Sequence, residues 1–174
     1  MLIGQHLDLA QISLGLSPKK PNYVGIICTK TNVGEVAQLA VQNAVDICNA
    51  HYGLIGGPSV GIYGQTDVDF VYIPSHLHHM IFELVKNSLR AVVERYGVEA
   101  DFYPEIRVVI AEGKEDITVK ISDEGGGIAR SGMPHVWSYL YTTAEPPDLD
   151  ESNRSGYRAP LAGFGYGLHI CPHR

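Results

Sequence analysis

The stretch from Pro74-Ser75 to Gly97 constrains this chain more than any other segment. The Pro-Ser pair offers a helix start, the glycine offers a stop, and the residues between them repeat at helical spacing. At about 100° per residue, Leu77, Met80, Ile81, Leu84, Ser88, Ala91 and Val92 share one face, which reads as core. His79, Glu83, Lys86, Asn87 and Arg90 gather on the opposite face. A stripe holding a carboxylate, a carboxamide, an imidazole and two cations is either solvated surface or a site. The rest of the chain bears on which.

Asn32-Val33-Gly34-Glu35 has the cap residue and third-position glutamate of a capping box, and Val36, Ala37, Ala40, Val41, Ala44, Val45 and Cys48 follow at helical spacing. With Gly53 as the stop, a second helix is expected over 33–52. Residues 7–31, with Pro18, Pro21 and Lys19-Lys20, read as a linker. Gly56-Gly57-Pro58 reads as a turn, and Val60 to Tyr63 and Phe70 to Ile73 as short strands. Ile106, Val108 and Ile110 alternate, as do Ile117, Val119 and Ile121, so an antiparallel hairpin is expected about Glu112 to Asp116. The second of these strands runs into Asp123-Glu124-Gly125-Gly126-Gly127. A long loop over 128–162 follows, of the kind that forms lids, and then Gly163-Phe164-Gly165-Tyr166-Gly167.

With 174 residues, the chain suits one domain of ordinary size. A formal charge of −6 argues against a nucleic-acid partner held by a broad basic face. Cysteines 28, 48 and 171 lack metal or disulfide spacing and read as reduced thiols. No apolar run approaches the ~20 residues that span a bilayer.

The polar stripe, the aspartate with its glycines and the second glycine-rich turn would all serve one nucleotide site. Carboxamide and carboxylate oxygens suit Mg²⁺, a hard ion that prefers oxygen. Glycines let backbone N–H groups approach phosphate oxygens, and a buried aspartate can accept a hydrogen bond from the exocyclic amine of a base. Each element also has a plainer reading, as solvated face or flexible turn. Gly-x-Gly-x-Gly is no Walker loop, since no Lys-Ser/Thr follows it. His76, His78 and His79 hint at a metal, yet no third ligand stands at a readable spacing.

In order, these motifs resemble a known family. His79-Met80-Ile81-Phe82-Glu83-Leu84-Val85-Lys86-Asn87-Ser88-Leu89-Arg90-Ala91 is similar to the asparagine box of the mitochondrial pyruvate dehydrogenase kinases. These kinases share an ATPase fold with gyrase, the heat-shock chaperones, histidine kinases and mismatch-repair ATPases. Ser122 to Ile128 resembles their first glycine box, Ser138 to Ala144 their lid, and Ala162 to Leu168 their second glycine box. The sister kinase of branched-chain 2-oxoacid dehydrogenase shares enough of these motifs to stand as an alternative, and so does a non-catalytic nucleotide-binding remnant. A two-component histidine kinase fits less well, because the lid segment is of the mitochondrial type.

The resemblance implies an α+β fold, a two-layer sandwich of helices on a mixed sheet, binding ATP and Mg²⁺. It implies that Glu83 orients or deprotonates a substrate serine, that His79 tunes Glu83, and that Asn87 holds the metal. Lys86 and Arg90 would sit near the phosphates, and Asp123 would take the adenine amine. Gly125, Gly127, Thr142, Thr143, Gly163, Phe164, Gly165, Tyr166, Gly167 and Leu168 would complete the pocket. Implied partners are subunits of the pyruvate dehydrogenase complex in the mitochondrial matrix, with lipoyl-domain binding by a helical bundle and homodimers in the family. Met1 to His6 is similar to the end of that bundle, so residues 1–25 are expected to be its remnant with a linker, and 26–174 the ATP-binding domain. Residues 169–174 depart from the family's pattern. The domain is therefore expected to be incomplete at its carboxyl end, poorly soluble alone and little active.

Overall fold

The computed structural model describes residues 21–136. Along them run β1 (Tyr23–Val24), β2 (Ile27–Asn32), α1 (Val33–Tyr52), β3 (Val60–Gly64), β4 (Asp69–Tyr72), α2 (Pro74–Tyr96), β5 (Ile106–Glu112) and β6 (Ile117–Ser122). Helix α1 begins as its sequence demands. Asn32 stays extended at φ −76° and its side chain accepts from the Glu35 amide at 2.9 Å, satisfying one of the helix's unpaired donors. It stops at Gly53, whose φ of 68° is left-handed and whose N–H donates to Asn49 O.

Helix α2 starts differently from the expectation. Ile73, not Ser75, is the cap residue and offers no side-chain bond, while Pro74 fills the first turn. Proline needs no acceptor there, and the amides of His76 and Leu77 both return to Ile73 O at 3.1 Å.

The fold is α+β, with the strands in two sheets. One is ordered β1-β2-β4 and is antiparallel throughout. The other, β3-β5-β6, is the mixed sheet: Val60 to Gly64 pair parallel with Ile106 to Ile110, and β5 and β6 form the expected hairpin. The first sheet corrects the linker reading of residues 7–31, because residues 23–32 supply two of its strands. Its signal was hidden by a register irregularity between Cys28 and Thr31, the two buried residues of β2. An inserted residue spaces the inward positions three apart and erases the alternation that marks a strand.

The core lies where α1 meets α2 and where both helices cover the strands. Ala37, Ala40, Ala44 and Cys48 are fully buried on α1, and their small side chains let α2 approach closely. From α2 come Ile81, Val85, Leu89 and Val92, and from β5 Ile106, Val108 and Ile110. The buried band of α2 is thus the ridge 77, 81, 85, 89, while Met80, Leu84 and Ala91 are only half-buried. The helix is covered on more than one side, so the polar stripe does not simply face water. Glu83 and Lys86, expected opposite the core, retain only 9% and 6% exposure.

Cys28 and Cys48 are free and buried. Burial pushes the Cys48 thiol up to about 11, so it stays protonated and unreactive near neutrality. Among the described residues no helix is long and apolar enough to cross a membrane.

Candidate nucleotide site

Two neighbouring regions of α2 gather the chemistry. The first is centred on Glu83. Lys86, one turn on, donates from Nζ to Glu83 Oε1 at 2.8 Å, and its ammonium lies 5.2 Å from the centre of the Phe82 ring. Two charges taken out of water need each other, so this pair fixes the carboxylate on the helix surface. The resemblance implies that His79 tunes Glu83 and that Lys86 sits near phosphate; the structure adds a direct bond from Lys86 to Glu83.

His79 and Glu83 both line a groove of about 460 Å³ whose other walls are Asn43, Asp46 and Ile47 of α1 and His78 and Phe82 of α2. Within it Asn43 Nδ2 lies 3.1 Å from His78 Nε2. The amide nitrogen donates, so the contact suits a neutral ring that accepts at Nε2. Burial, and then the nearby His79, lower the His78 pKa from its ordinary value. The sign follows from linkage: neutral His78 contributes stability above its unfolded value of 6.5, and that contribution is lost as pH falls through the folded value. Urea midpoints measured below pH 6.5 should therefore fall less steeply for His78→Gln than for the parent. An identical slope would assign the titration elsewhere.

The second region lies where β6 ends against α2. Asp123 is exposed rather than buried, yet its carboxylate is held at both oxygens. Oδ2 accepts from Ser88 Oγ at 2.9 Å, and Oδ1 from the Gly125 amide at 2.9 Å. Arg95 Nη1 donates to Glu124 O at 2.9 Å, pinning the turn to the helix once more. Gly125 packs so tightly that an added Cβ would collide with that of Ala91 and come 2.9 Å from Ala91's carbonyl carbon. Gly127 instead answers a φ of 72°, in the left-handed region.

Asn87 is exposed and follows Glu83 by one turn, while Ala91, a further turn on, touches Gly125. The carboxamide thus stands between the Glu83 pair and the glycine turn. An exposed amide oxygen at that place is a fitting hard donor for Mg²⁺. Arg90 is half-buried and lies along its own helix, Nε donating to Glu94 at 2.6 Å. Thr142, Thr143, Gly163, Phe164, Gly165, Tyr166, Gly167 and Leu168 lie outside the described residues.

Sequence reasoning gave no role to Ser88, Arg95, Asn43 or Asp46. Ser88 carried a signal, since one hydroxyl in an otherwise apolar series needs a partner when buried. The others meet the site only through tertiary packing.

The chain is similar to several mitochondrial pyruvate dehydrogenase (acetyl-transferring) kinases. It is 46% identical to that of Schizosaccharomyces pombe over 174 residues, covering 98% of this chain and 40% of the relative. The Arabidopsis thaliana kinase is 48% identical over 98% of this chain and 45% of its own length. Human isozyme 3 is 38% identical over 98% and 41%. The chain therefore spans less than half the length of these relatives. The profile of the histidine kinase-, DNA gyrase B- and HSP90-like ATPases matches residues 72–173, from the start of α2 through Glu83, Asn87 and Asp123. That match takes in more than half of the sequence, and the chain belongs to this ATPase family.

Proposed function

We propose that the chain carries the ATP site of a mitochondrial protein-serine kinase acting on the pyruvate dehydrogenase complex. The observation that carries this reading is the placement of Glu83. Its carboxylate lines an open groove, while Asn87 and then the Asp123 turn follow along the same helix. A hydroxyl entering the groove would meet a carboxylate that lies next to the nucleotide.

In this reading Asp123 accepts the adenine amine while the Gly125 amide holds its carboxylate, and Gly127 lets the turn approach the nucleotide. Asn87 would hold Mg²⁺, which when bound neutralises phosphate charge. Lys86 and Arg90 add positive charge beside it. Glu83 orients the serine hydroxyl or takes its proton, His79 lines the approach, and Lys86 holds the carboxylate in place. Phosphoryl transfer asks mainly for positioning and charge neutralisation, and these residues supply both in kind. Thr142, Thr143 and the glycine turn at 163–168 would close the pocket.

The relatives named above are mitochondrial pyruvate dehydrogenase kinases, and their identity to this chain supports that substrate and a mitochondrial location; the matrix is part of the proposal. Homodimers and lipoyl-domain binding belong to the same proposal. So does the division into residues 1–25 and the ATP-binding domain 26–174.

Incubating a full-length protein that carries this segment with Mg-ATP and the unphosphorylated substrate subunit of either 2-oxoacid dehydrogenase complex tests it. Phosphoserine on the pyruvate enzyme is expected. Phosphoserine on the branched-chain enzyme alone would move the substrate, and acid-labile phosphohistidine would overturn the serine assignment.

A further inference from the structure

We propose that Ser88 is a positioning residue for nucleobase recognition, holding the Asp123 carboxylate in the orientation that accepts the exocyclic amine of adenine. The inference rests on the reading of Asp123 as the adenine contact and adds the residue that makes that contact selective.

An aspartate at the exposed end of a strand would ordinarily turn about both side-chain bonds and spend its acceptors on water. Asp123 cannot. Ser88 Oγ holds Oδ2 at 2.9 Å, and the Gly125 amide holds Oδ1 at 2.9 Å. Bonds to both oxygens fix the plane of the carboxylate as well as its direction. A carboxylate offers about four lone-pair sites, and these bonds use two, so each oxygen keeps one for a ligand.

Ser88 is 7% exposed, so its hydroxyl has little water to turn to and the bond to Asp123 is its way of being satisfied. The turn cannot lift away from this grip easily, because Arg95 bonds Glu124 O and Gly125 rests on Ala91. Ser88, Ala91 and Arg95 are spaced at 3 and 4 residues, one edge of α2. That edge acts as a mould for the turn.

The consequence is chemical selectivity. An ionised carboxylate only accepts hydrogen bonds, so it welcomes the amine of adenine and opposes the keto oxygen that replaces it in hypoxanthine or guanine. Held rigid, it need not be ordered when the nucleotide arrives, and it cannot rotate to relieve the mismatch.

Calorimetric titration of the 174-residue chain with Mg-ATP and with Mg-ITP, which lacks the exocyclic amine, tests this. Ser88→Ala should weaken ATP binding by roughly 5–10-fold, the scale of one intramolecular hydrogen bond, and leave ITP binding unchanged or tighter, since a freed carboxylate can turn away from the keto oxygen. Ser88→Thr, which keeps the hydroxyl, should restore ATP affinity. In an Asp123→Ala background Ser88→Ala should have no further effect, since the two residues act as one unit.

Equal losses for ATP and ITP, or a loss that persists without Asp123, would show that Ser88 acts through packing and overturn the proposal. An unchanged ATP affinity in Ser88→Ala, with a loss in Asp123→Ala, would overturn the positioning role alone. Unchanged affinity in Asp123→Ala would remove the adenine reading and the proposal together.

Discussion

In a full-length protein that carries this segment, Glu83→Gln should lower the rate of phosphate transfer to serine by roughly 10²–10⁴-fold, the range for a positioned general base, with ATP affinity close to that of the parent. Glutamine has the same shape and keeps an oxygen that can accept from Lys86 Nζ, which bonds Glu83 Oε1 at 2.8 Å in the parent. It cannot take a proton or orient a hydroxyl as an anion does. Asn87→Ala should divide the effects the other way and weaken Mg-ATP binding itself. Single-turnover kinetics alongside nucleotide titration would separate the two. Full transfer activity in Glu83→Gln would show that the base has been misassigned.

Lys86→Met should cost about 3–5 kcal/mol of stability, the scale for breaking a buried ion pair by removing one partner. The side chains of Lys86 and Glu83 retain 8% and 11% exposure, so neither charge regains much water when the other is lost. Methionine would fill the space of the lysine stem beside Phe82 and leave Glu83 uncompensated. Adding Glu83→Gln to Lys86→Met removes the stranded charge and should recover most of the loss. Urea unfolding of the parent, Lys86→Met and the double variant reads this directly. A loss below about 1 kcal/mol, the range of exposed pairs, would mean that the pair is solvated in solution.

Much of this architecture is legible in the chain because local chemistry and tertiary structure agree. Asn32 and Gly53 bound α1 as their side chains require, and the alternating isoleucines and valines of β5 and β6 pair as a hairpin. In the first sheet β4 was legible at Phe70 to Ile73, whereas β1 and β2 were not, because the irregularity between Cys28 and Thr31 breaks the period that would have marked β2. The faces of α2 were half legible. A helical wheel divides residues into apolar and polar, and it cannot show that a helix is covered from two directions. Glu83 and Lys86 therefore read as surface when they are buried against one another, and Ser88 read as core when its hydroxyl serves Asp123. Asp123 was picked out by the glycines after it. That its carboxylate is held at both oxygens follows only from the meeting of β6 with α2, residues 35 apart in sequence.

The central claim is that Asp123 and the turn behind it form an adenine nucleotide site, and thermal unfolding in Mg-ATP tests it most directly. A ligand that binds only the folded state at about 100 times its Kd adds about 2.7 kcal/mol, which should appear as a clear rise in Tm for the parent chain. Asp123→Ala, at the same nucleotide concentration, should show little or no rise. An equal rise in the two proteins would take adenine recognition away from Asp123, and no rise in either would contradict the nucleotide site itself.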